Sequence, residues 1–358
     1  MEIVIVGGGV IGLFSALILA QAGCQVTILE KNGGAFEASW AGGGIVSPMY
    51  PWRYSPAVTA LAQLAQAEYP NLSQQLLSMT GIDIELNTCG MLMLEAEDQR
   101  DALVWGQQYQ QSIISLSAEE ISQFSPLLAN FKSGVCLPHI ANVRNPRLLR
   151  ALMQAVAQLG VRYMNQTEIV NWHQKDDRIT AVESSSGEKY LADAFVITAG
   201  AWTGQILASV AIRMPIKPIK GQMILYKLPE QILKQIVLHL GHYLIPRQDG
   251  HLLCGSTIED TGFDKQTTDE ALILLKKSAE RIMPLLSQYQ PIKHWAGLRP
   301  ASPNGIPYIS RVPQFSNLWV NAGQFRNGLV LAPASAQLLV DLMLGHPPKI
   351  SPTPYQML

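Results

Sequence analysis

The sequence predicts an α/β protein of two domains, one of which is discontinuous, and three observations carry this prediction. Its 358 residues exceed the usual size of a single domain. The first thirty residues alternate strand, turn, helix and strand, as in a parallel sheet covered by helices. Farther along, segments of mixed α/β character are interrupted twice by β-rich ones. A β-rich domain inserted in two pieces into an α/β domain accounts for that alternation.

The first α/β unit is visible in the spacing of its apolar residues. Residues 3–6 are a β-branched run typical of a buried parallel strand. Apolar residues then continue along a helix to Ala22, and Gly23 is the residue type that commonly ends a helix. Residues 26–29 form the second strand. This order predicts the first strand–helix–strand unit of a sheet.

Four residues of this unit have the spacing of a dinucleotide site. Gly7, Gly9 and Gly12 fit the pattern GxGxxG, and Glu30 stands at the end of the second strand. The first glycine permits a tight turn, the second lets the backbone approach a pyrophosphate, and the third lets helix and strand pack closely. The phosphates lie at the positive end of the helix, and the acid can bind ribose hydroxyls. The unit predicts a Rossmann-like dinucleotide site without deciding between NAD and FAD.

Composition narrows the class of protein. Hydrophobic residues make up 48% and charged residues 15%, and the charged share lies below the usual value of about 25%. Lys+Arg 26 nearly balance Asp+Glu 27 and form no basic cluster, so a nucleic-acid partner is not indicated. The cysteines Cys24, Cys89, Cys136 and Cys254 lack metal-ligand spacing. They predict buried thiols in a reducing compartment and no metal site.

Two stretches near the N-terminus allow alternative interpretations. Residues 3–22 carry no charge and are long enough to span a membrane. The glycines inside this stretch favour a strand-to-helix turn, and no positive charge precedes it as in a signal peptide. We therefore expect no membrane insertion, with a membrane span as the alternative. Residues 37–48 contain three consecutive glycines, which predict backbone lying flat against a ligand rather than a flexible loop.

The middle of the chain alternates helices and strands. Residues 57–79 predict a helix and residues 90–96 a strand. A capping box at residues 117–120 opens a short helix. Residues 145–160 predict a helix that is capped by Asn145. Residues 194–200 predict a further strand that ends in a glycine.

Antiparallel β structure prevails after residue 216. Residues 220–228, 237–247 and 251–259 are three strand candidates, and a hairpin turn joins the last two. A helix is predicted around residues 268–288, and a final helix at about residues 329–344. We assign residues 1–80, 140–215 and 296–358 to the dinucleotide-binding domain, and residues 81–139 and 216–295 to the inserted β-rich domain.

Six motifs, taken in order, identify a family. They are GGGVIG at the start, TAGAWTG at 198–204, PIKGQ at 218–222, HYLIPRQDGHLLCGST at 242–257, WAGLRPASPNGIPYIS at 295–310 and GQFRNGLVLAPASAQLL at 323–339. The first is generic, whereas the last three are specific in this order and spacing. Through them nearly the whole chain resembles the D-amino-acid oxidase family of flavoproteins. The resemblance implies a discontinuous Rossmann-like FAD-binding domain and an inserted substrate domain.

The resemblance implies a set of FAD-binding residues. They are Gly7, Gly9, Val10, Ile11, Gly12, Glu30, Lys31, Ala38, Ser39, Gly43, Gly44, Ile45, Ile169, Gly200, Gln324, Phe325, Arg326, Asn327, Gly328, Leu329 and Val330. Some relatives attach FAD to a cysteine near the GLRP region; residues 297–300 contain none, which predicts non-covalent FAD. Trp40 and the triple glycine depart from the alanine-rich loop of the family, so the shape of this loop and the size of the substrate stay open.

The resemblance also assigns substrate-binding residues. Arg299 would bind the substrate carboxylate through its bidentate guanidinium fork, with Arg326 as a second group and the Tyr243 hydroxyl as a further donor. Each has a structural alternative: Arg299 as a partly exposed arginine with its stem on the core, Arg326 as a structural residue, and Tyr243 as a packing residue. His242 and His294 are expected to be structural. Hydride loss from a neutral amine mainly requires positioning.

The implied activity is oxidative deamination of glycine, other small amines and D-amino acids. The imino acid is hydrolysed to a keto acid and ammonia. Molecular oxygen reoxidises the flavin and is reduced to hydrogen peroxide. The resemblance further implies a part in making the thiazole half of thiamine, a cytoplasmic location and a homo-oligomer, a tetramer. Alternatives are a D-amino-acid or secondary-amine dehydrogenase with a respiratory acceptor, and an FAD module without turnover. A third alternative is an RNA-modifying flavoprotein, but the near balance of positive and negative residues argues against an RNA partner.

Overall fold

The computed structural model describes residues 1–34 and 37–357; Ala35, Phe36 and Leu358, which the predicted dinucleotide-binding ranges include, lie outside the described residues. The strands are β1 Glu2–Val6, β2 Gln25–Leu29, β3 Asn87–Thr88, β4 Met91–Leu94, β5 Ile114–Ser117, β6 Ser133–Leu137, β7 Ala141–Asn142, β8 Arg162–Met164, β9 Ile169–Lys175, β10 Arg178–Ser184, β11 Lys189–Leu191, β12 Ala194–Ile197, β13 Lys217–Lys227, β14 Ile236–His239, β15 His242–Pro246, β16 His251–Gly255, β17 Lys293–Ala301, β18 Tyr308–Arg311 and β19 Leu318–Ala322. The helices are α1 Val10–Gln21, α2 Ala38–Ala41, α3 Pro56–Thr80, α4 Gln99–Gln108, α5 Ala118–Phe124, α6 Asn145–Gln158, α7 Thr203–Ala208, α8 Asp269–Ile282 and α9 Gly328–Leu344.

A mostly parallel sheet contains the N-terminal strand. Its order is β18-β19-β12-β1-β2-β8, and only β18 runs antiparallel to its neighbour among these strands. From β1 the chain passes to β2 on one side and later returns to β12 on the other. The strand order therefore reverses at β1. Ligands of such sheets bind beyond the carboxyl ends of the strands at this point.

The predicted strand–helix–strand unit is confirmed as β1, α1 and β2. The Thr198 hydroxyl donates to the carbonyl oxygen of Gly7 at 2.7 Å, and a Cβ on Gly12 would lie 2.0 Å from that oxygen. Helix α1 can therefore approach β1 this closely only with glycine at position 12. Residues 3–22, considered above as a membrane span, form β1, the turn and α1 and are mostly buried in the core.

Helix α9 belongs to the core of the same domain. In the described part of the chain, the stretch Phe325–Leu344 is long and apolar enough to cross a membrane. However, 67% of its most apolar 18 residues are buried inside the fold. The Tyr69 hydroxyl on α3 donates to the carbonyl oxygen of Leu329 at 2.6 Å. Its apolar character is thus explained by packing against other helices.

The second large sheet confirms the predicted β-rich part of the fold. Its order is β17-β13-β16-β15-β14-β4-β6-β5, with antiparallel neighbours except for β14 and β4. Helix α8 covers it with Leu275, Ala279 and Ile282, which are fully buried. The domain boundaries stay a prediction. One of them was placed between residues 295 and 296, and strand β17, which pairs with β13 along its length, crosses it.

Residues 237–247, predicted as one strand, are two. Strands β14 and β15 are joined by Leu240 and Gly241, whose φ angles are 48° and 79°. Positive φ at both central residues is typical of a two-residue hairpin turn. The prediction was wrong because the apolar run continues through the turn.

Other local expectations were also wrong. Arg144, rather than Asn145, is the N-cap of α6; Asn145 is already helical and its Nδ2 donates to the carbonyl oxygen of Ser39 at 2.8 Å. The helix predicted at 268–288 ends at Ile282 as α8, before Pro284 opens a short 3-10 helix. Strands β9, β10 and β11 form a separate sheet that the sequence analysis missed.

Candidate active site

A cavity of about 440 Å³ lies at the carboxyl ends of β1 and β12 and extends to the eight-stranded sheet. Most of the predicted site residues line it: Gly7, Gly9, Val10, Ile11, Glu30, Lys31, Ala38, Ser39, Gly43, Gly44, Ile45, Ile169, Gly200, Tyr243, Arg299, Gln324, Phe325, Arg326, Gly328 and Leu329. Gly12, Asn327 and Val330 do not line it and are buried beside it. Segments that are distant in sequence therefore meet around one space.

The glycine turn brings the N-terminus of α1 to the cavity. Gly9 caps the helix with extended backbone and no side-chain hydrogen bond. The N–H of Val10 donates to the hydroxyl oxygen of Ser39 at 3.0 Å, and a Cβ on Gly9 would lie 3.2 Å from that oxygen. Because first-turn N–H groups and the helix dipole favour negative charge, this turn suits a pyrophosphate.

Glu30 is fixed at the end of β2 by backbone donors. Its carboxylate oxygens accept from the N–H of Gly8 at 2.8 Å and from the N–H of Asn32 at 3.0 Å. Burial raises the pKa of Glu30, and these two hydrogen bonds oppose the rise. Nζ of Lys31 lies 2.6 Å from Oε1 of Glu168, the residue that precedes Ile169 in the chain. This corner thus presents a fixed carboxylate to which ribose hydroxyls can donate.

Two residues of the triple glycine, Gly43 and Gly44, allow close packing under the cavity. A Cβ on Gly43 would lie 2.5 Å from Cδ1 of Ile245 and 3.2 Å from the Tyr243 ring. Gly44 has φ of +82°, and its Cβ would lie 2.1 Å from the carbonyl oxygen of Val143. Only glycine lets this loop run between the second sheet and the cavity.

A buried arginine that the sequence analysis did not select holds the same loop. Arg247 is 4% exposed, and its guanidinium donates to the carbonyl oxygens of Gly43 and Val143, each at 2.9 Å, and to the amide oxygen of Asn142. Burial lowers the pKa of Arg247 to about 10. The loop is therefore tied to β15, the strand that carries Tyr243. The arginine follows a strand in the sequence, and no local pattern marks it.

Trp40, the other residue that departs from the family's alanine-rich loop, packs against Trp295. Its ring meets that of Trp295 edge to face, with centroids 5.9 Å apart. The indole N–H of Trp295 donates to the carbonyl oxygen of Ala41 at 3.0 Å. Trp40 itself does not line the cavity. The tryptophan pair instead connects α2 to strand β17.

Arg299 presents its guanidinium to the cavity from β17. Its Nη1 donates to the carbonyl oxygen of Thr257 at 3.1 Å, and its Nη2 donates to the Ser256 hydroxyl at 2.8 Å. These acceptors are neutral, and no carboxylate of the described residues forms an ion pair with it. Burial lowers the pKa of Arg299, which neighbouring Tyr243 partly opposes. A half-buried guanidinium without a counter-ion suits an anionic ligand.

Gly221 makes room for this guanidinium. A Cβ at position 221 would lie 2.1 Å from both Nη1 and Nη2 of Arg299. The glycine of the PIKGQ motif therefore has a specific role, which is to let the charged group lie flat on β13. Tyr243 is buried close by, and its hydroxyl donates to Sδ of Met223 at 3.7 Å.

Arg326 lines the cavity from the turn before α9. Its Nη2 donates to Sδ of Met49 at 3.7 Å, a weak acceptor, and it forms no ion pair with any described residue. His242 lies near Arg326. Burial is the main cause that lowers the pKa of this histidine, and the positive charge of Arg326 is the second. Neither His242 nor His294 is among the cavity-lining residues that the structure describes. Two guanidiniums therefore face one cavity.

The N-terminus of α9 forms the remaining wall. Gln324 is buried, and its Nε2 donates to Oδ1 of Asn321 at 2.6 Å. Asn327 is 2% exposed, and its Nδ2 has no hydrogen-bond partner among residues 1–34 and 37–357. A helix start with free donors stabilises negative charge next to it. With the anion-binding turn of α1 and the carboxylate of Glu30, this arrangement suits the pyrophosphate, ribose and ring of FAD.

Comparison with known proteins agrees with this arrangement. The family model "DAO: FAD dependent oxidoreductase" matches residues 2–342. The chain is 50% identical to the glycine oxidase of Pseudomonas aeruginosa over 99% of this chain and 98% of that protein. It is 30% identical to the bifunctional protein ThiO/ThiG of Trichormus variabilis, over 96% of this chain and 52% of that protein.

A solved structure shows the same fold. The crystal structure of glycine oxidase from Geobacillus kaustophilus superimposes with a TM-score of 0.95 at 28% identity, covering 99% of this chain and 98% of that one. The match includes both large sheets, since it spans nearly the whole length of each chain. The chain therefore belongs to the DAO family of FAD dependent oxidoreductases.

Proposed function

We propose that this protein oxidises glycine, and other small amines and D-amino acids, to the corresponding imino acid with FAD as cofactor and oxygen as electron acceptor. The observation that carries the proposal is the guanidinium of Arg299, which lines the cavity half-buried and has neutral hydrogen-bond acceptors only. The 50% identity to a glycine oxidase supports the same substrate. Hydrolysis of the imino acid gives a keto acid, glyoxylate from glycine, and ammonia.

Substrate orientation follows from the side chains at this end of the cavity. Arg299 binds the carboxylate with two parallel N–H donors, because a guanidinium fork matches the two oxygens. The Tyr243 hydroxyl, which lies beside Arg299 and donates to the sulfur of Met223, turns to a carboxylate oxygen. Arg326, which also lines the cavity, adds a second positive charge. The amino acid is thus held by its carboxylate, and its α-carbon is directed into the cavity.

FAD binding uses the dinucleotide end of the same cavity. We assign the pyrophosphate to Val10 and Ile11, the ribose to Glu30 and Lys31, and the ring to the loop Gly43–Ile45 and to the N-terminus of α9. When bound, FAD supplies the two-electron acceptor chemistry that amino-acid side chains lack. Cys24, Cys89, Cys136 and Cys254 do not line the described cavity, which supports non-covalent binding.

The protein's main chemical contribution is positioning. The carboxylates that line the described cavity, Glu30, Glu37 and Glu168, lie at its dinucleotide end, and no histidine of the described residues lines it. No general base therefore stands beside the predicted position of the substrate amine. The amine is oxidised in its neutral form, and Arg299 and Tyr243 orient the α-carbon. The N-terminus of α9 would stabilise negative charge on the cofactor ring held beside it.

The biological setting is proposed from similarity to a relative and not from the geometry of the cavity. Similarity to a ThiO/ThiG protein supports a part in thiamine synthesis, where the imino acid itself is the useful product. We further propose a cytoplasmic homotetramer. A dehydrogenase that passes electrons to a respiratory acceptor is the alternative, since oxygen reactivity depends on fine geometry at the cofactor.

Product analysis tests this function. Purified protein loaded with FAD is incubated in air with glycine, sarcosine or D-alanine, and three products are quantified: the keto acid, the amine released (ammonia, or methylamine from sarcosine) and hydrogen peroxide. Equal amounts of the three products from glycine are expected. Glyoxylate without peroxide, together with reduction of an added quinone, would establish the dehydrogenase instead. Absence of all products with every amine would contradict the proposal.

A further inference from the structure

The orientation of Arg299 depends on a segment that is not itself a strand. Residues 256–259 follow β16 and supply both close acceptors of the guanidinium, the hydroxyl oxygen of Ser256 and the carbonyl oxygen of Thr257. The carbonyl oxygen of Lys220 on β13 accepts a longer bond from Nη1 at 3.5 Å. Whatever fixes this segment against β13 therefore also fixes the carboxylate-binding group.

Backbone and side-chain hydrogen bonds join the segment to β13. The N–H of Lys220 donates to the carbonyl oxygen of Glu259 at 2.9 Å. In return, the N–H of Glu259 donates to the carbonyl oxygen of Lys220 at 3.0 Å. The N–H of Gln222 donates to the Thr257 hydroxyl at 2.8 Å. Such a short pairing at the end of a sheet has few bonds, and it needs further support to stay in one position.

Ion pairs between a buried lysine and two carboxylates nearer the surface supply that support. Lys220 is 1% exposed, and its Nζ lies 3.2 Å from Oε2 of Glu259 and 3.0 Å from Oδ2 of Asp264. The Glu259 carboxylate also accepts from the Thr257 hydroxyl and from Nε2 of Gln222. Burial lowers the pKa of Lys220, but its bonds to the two carboxylates outweigh this and leave the pKa raised. Lys220 is not among the described residues that line the cavity.

We propose that Lys220 and Glu259 are positioning residues for substrate binding, which lock residues 256–259 so that Ser256 and Thr257 aim the Arg299 guanidinium at the substrate carboxylate. The inference rests on the carboxylate-binding role proposed for Arg299. The buried Lys220 holds the half-buried Glu259 one layer behind the site, and no carboxylate of the described residues pairs directly with Arg299. Arg299 thus keeps rigid, neutral acceptors and an uncompensated charge. A carboxylate in direct contact would hold it equally well but would compete with the substrate.

The test measures carboxylate binding apart from turnover. Acetate, which carries the carboxylate but no amine to oxidise, is titrated into the FAD-loaded protein, and its dissociation constant is read from the change in flavin absorbance. The variants are Lys220→Met and Glu259→Gln, the second of which keeps the shape of the side chain. Lys265→Met is the matched control, because Lys265 lies in the following loop and pairs with Glu37 at 2.8 Å, away from Arg299.

Lys220→Met and Glu259→Gln are expected to weaken acetate binding and to raise KM for glycine by about 10- to 100-fold, as misplacement of a binding group does. FAD affinity and kcat at saturating glycine should stay within about threefold, because neither residue touches the cavity. Lys265→Met should bind acetate like the unsubstituted protein. In an Arg299→Ala background, Lys220→Met should cause no further loss, since its effect acts through Arg299.

Other outcomes separate the two proposals. Unchanged acetate binding in Arg299→Ala would overturn the carboxylate-binding role of Arg299 itself. Weakened binding in Arg299→Ala, but not in Glu259→Gln or Lys220→Met, would overturn only the positioning role. If Lys220→Met does not fold, Glu259→Gln and the conservative Lys220→Arg decide. Equal losses of acetate and FAD affinity would indicate a general structural role and would contradict the inference.

Discussion

Replacement of Arg299 by alanine is the sharpest perturbation of the proposed substrate site. It removes a guanidinium whose remaining contacts are the Ser256 hydroxyl and the Thr257 and Lys220 carbonyl oxygens. Because those acceptors belong to the protein, they do not replace the lost charge. A substrate carboxylate would then enter the cavity without its ion-pair partner.

The magnitude follows from the burial of the pair. Truncation of one partner of a desolvated, hydrogen-bonded charge pair costs about 2–5 kcal/mol. At about 1.4 kcal/mol for each factor of ten, this predicts a loss of roughly 30- to 3,000-fold in affinity for glycine. The Ser256 hydroxyl and the Thr257 carbonyl oxygen would lose their donor, whereas the Lys220 carbonyl oxygen keeps the N–H of Glu259. This loss should also lower the free energy of unfolding by about 1–3 kcal/mol.

Stopped-flow reduction of the FAD-loaded protein by glycine measures this affinity without interference from oxygen. Arg299→Lys is the companion variant, since it keeps the charge and loses the bidentate fork, and it should fall between the alanine variant and the unsubstituted protein. FAD affinity, measured by flavin fluorescence, should not change. An Arg299→Ala protein with an unaltered dissociation constant for glycine would refute the assignment.

Three further predictions concern single residues. Gly221→Ala places a Cβ 2.1 Å from the Arg299 nitrogens, so it should raise KM for glycine at least tenfold while FAD affinity, measured by fluorescence, stays unchanged. Gly12→Ala places a Cβ 2.0 Å from the Gly7 carbonyl oxygen; overpacking should cost about 1–3 kcal/mol and weaken FAD binding, as thermal unfolding and flavin titration would show. Burial lowers the pKa of His239, so the unfolded chain binds a proton at higher pH than the folded one. The free energy of unfolding from urea titrations should therefore fall as pH drops below about 6.5, and less so in His239→Gln.

Residues whose roles are set by neighbours in the chain were accessible from the sequence. Gly7, Gly9, Gly12 and Glu30 lie within one strand–helix–strand unit, so their spacing alone predicts their geometry. The hairpin turn before β16 was accessible for the same reason, because Gly250 has φ of +81° in the predicted turn. Arg299 was visible only through the family motif, since an arginine on a strand is ambiguous by itself.

Residues whose roles depend on tertiary pairing were not accessible. Arg247 and Lys220 are charged residues that the fold buries, and their partners stand 204 positions away at Gly43 and 44 positions away at Asp264. Hydrophobic periodicity carries no information about such pairs. Strand β9 was missed for a related reason: its residues are mostly exposed and polar, so the alternation that predicts a half-buried strand is absent.

The most direct test of the central claim is an anaerobic absorbance spectrum of the FAD-loaded protein before and after glycine is added, followed by admission of air. Glycine is expected to bleach the oxidised flavin bands, and air should restore them with release of hydrogen peroxide. A purified protein that binds no FAD would contradict the account. So would bound flavin that glycine, sarcosine and D-alanine all leave unchanged.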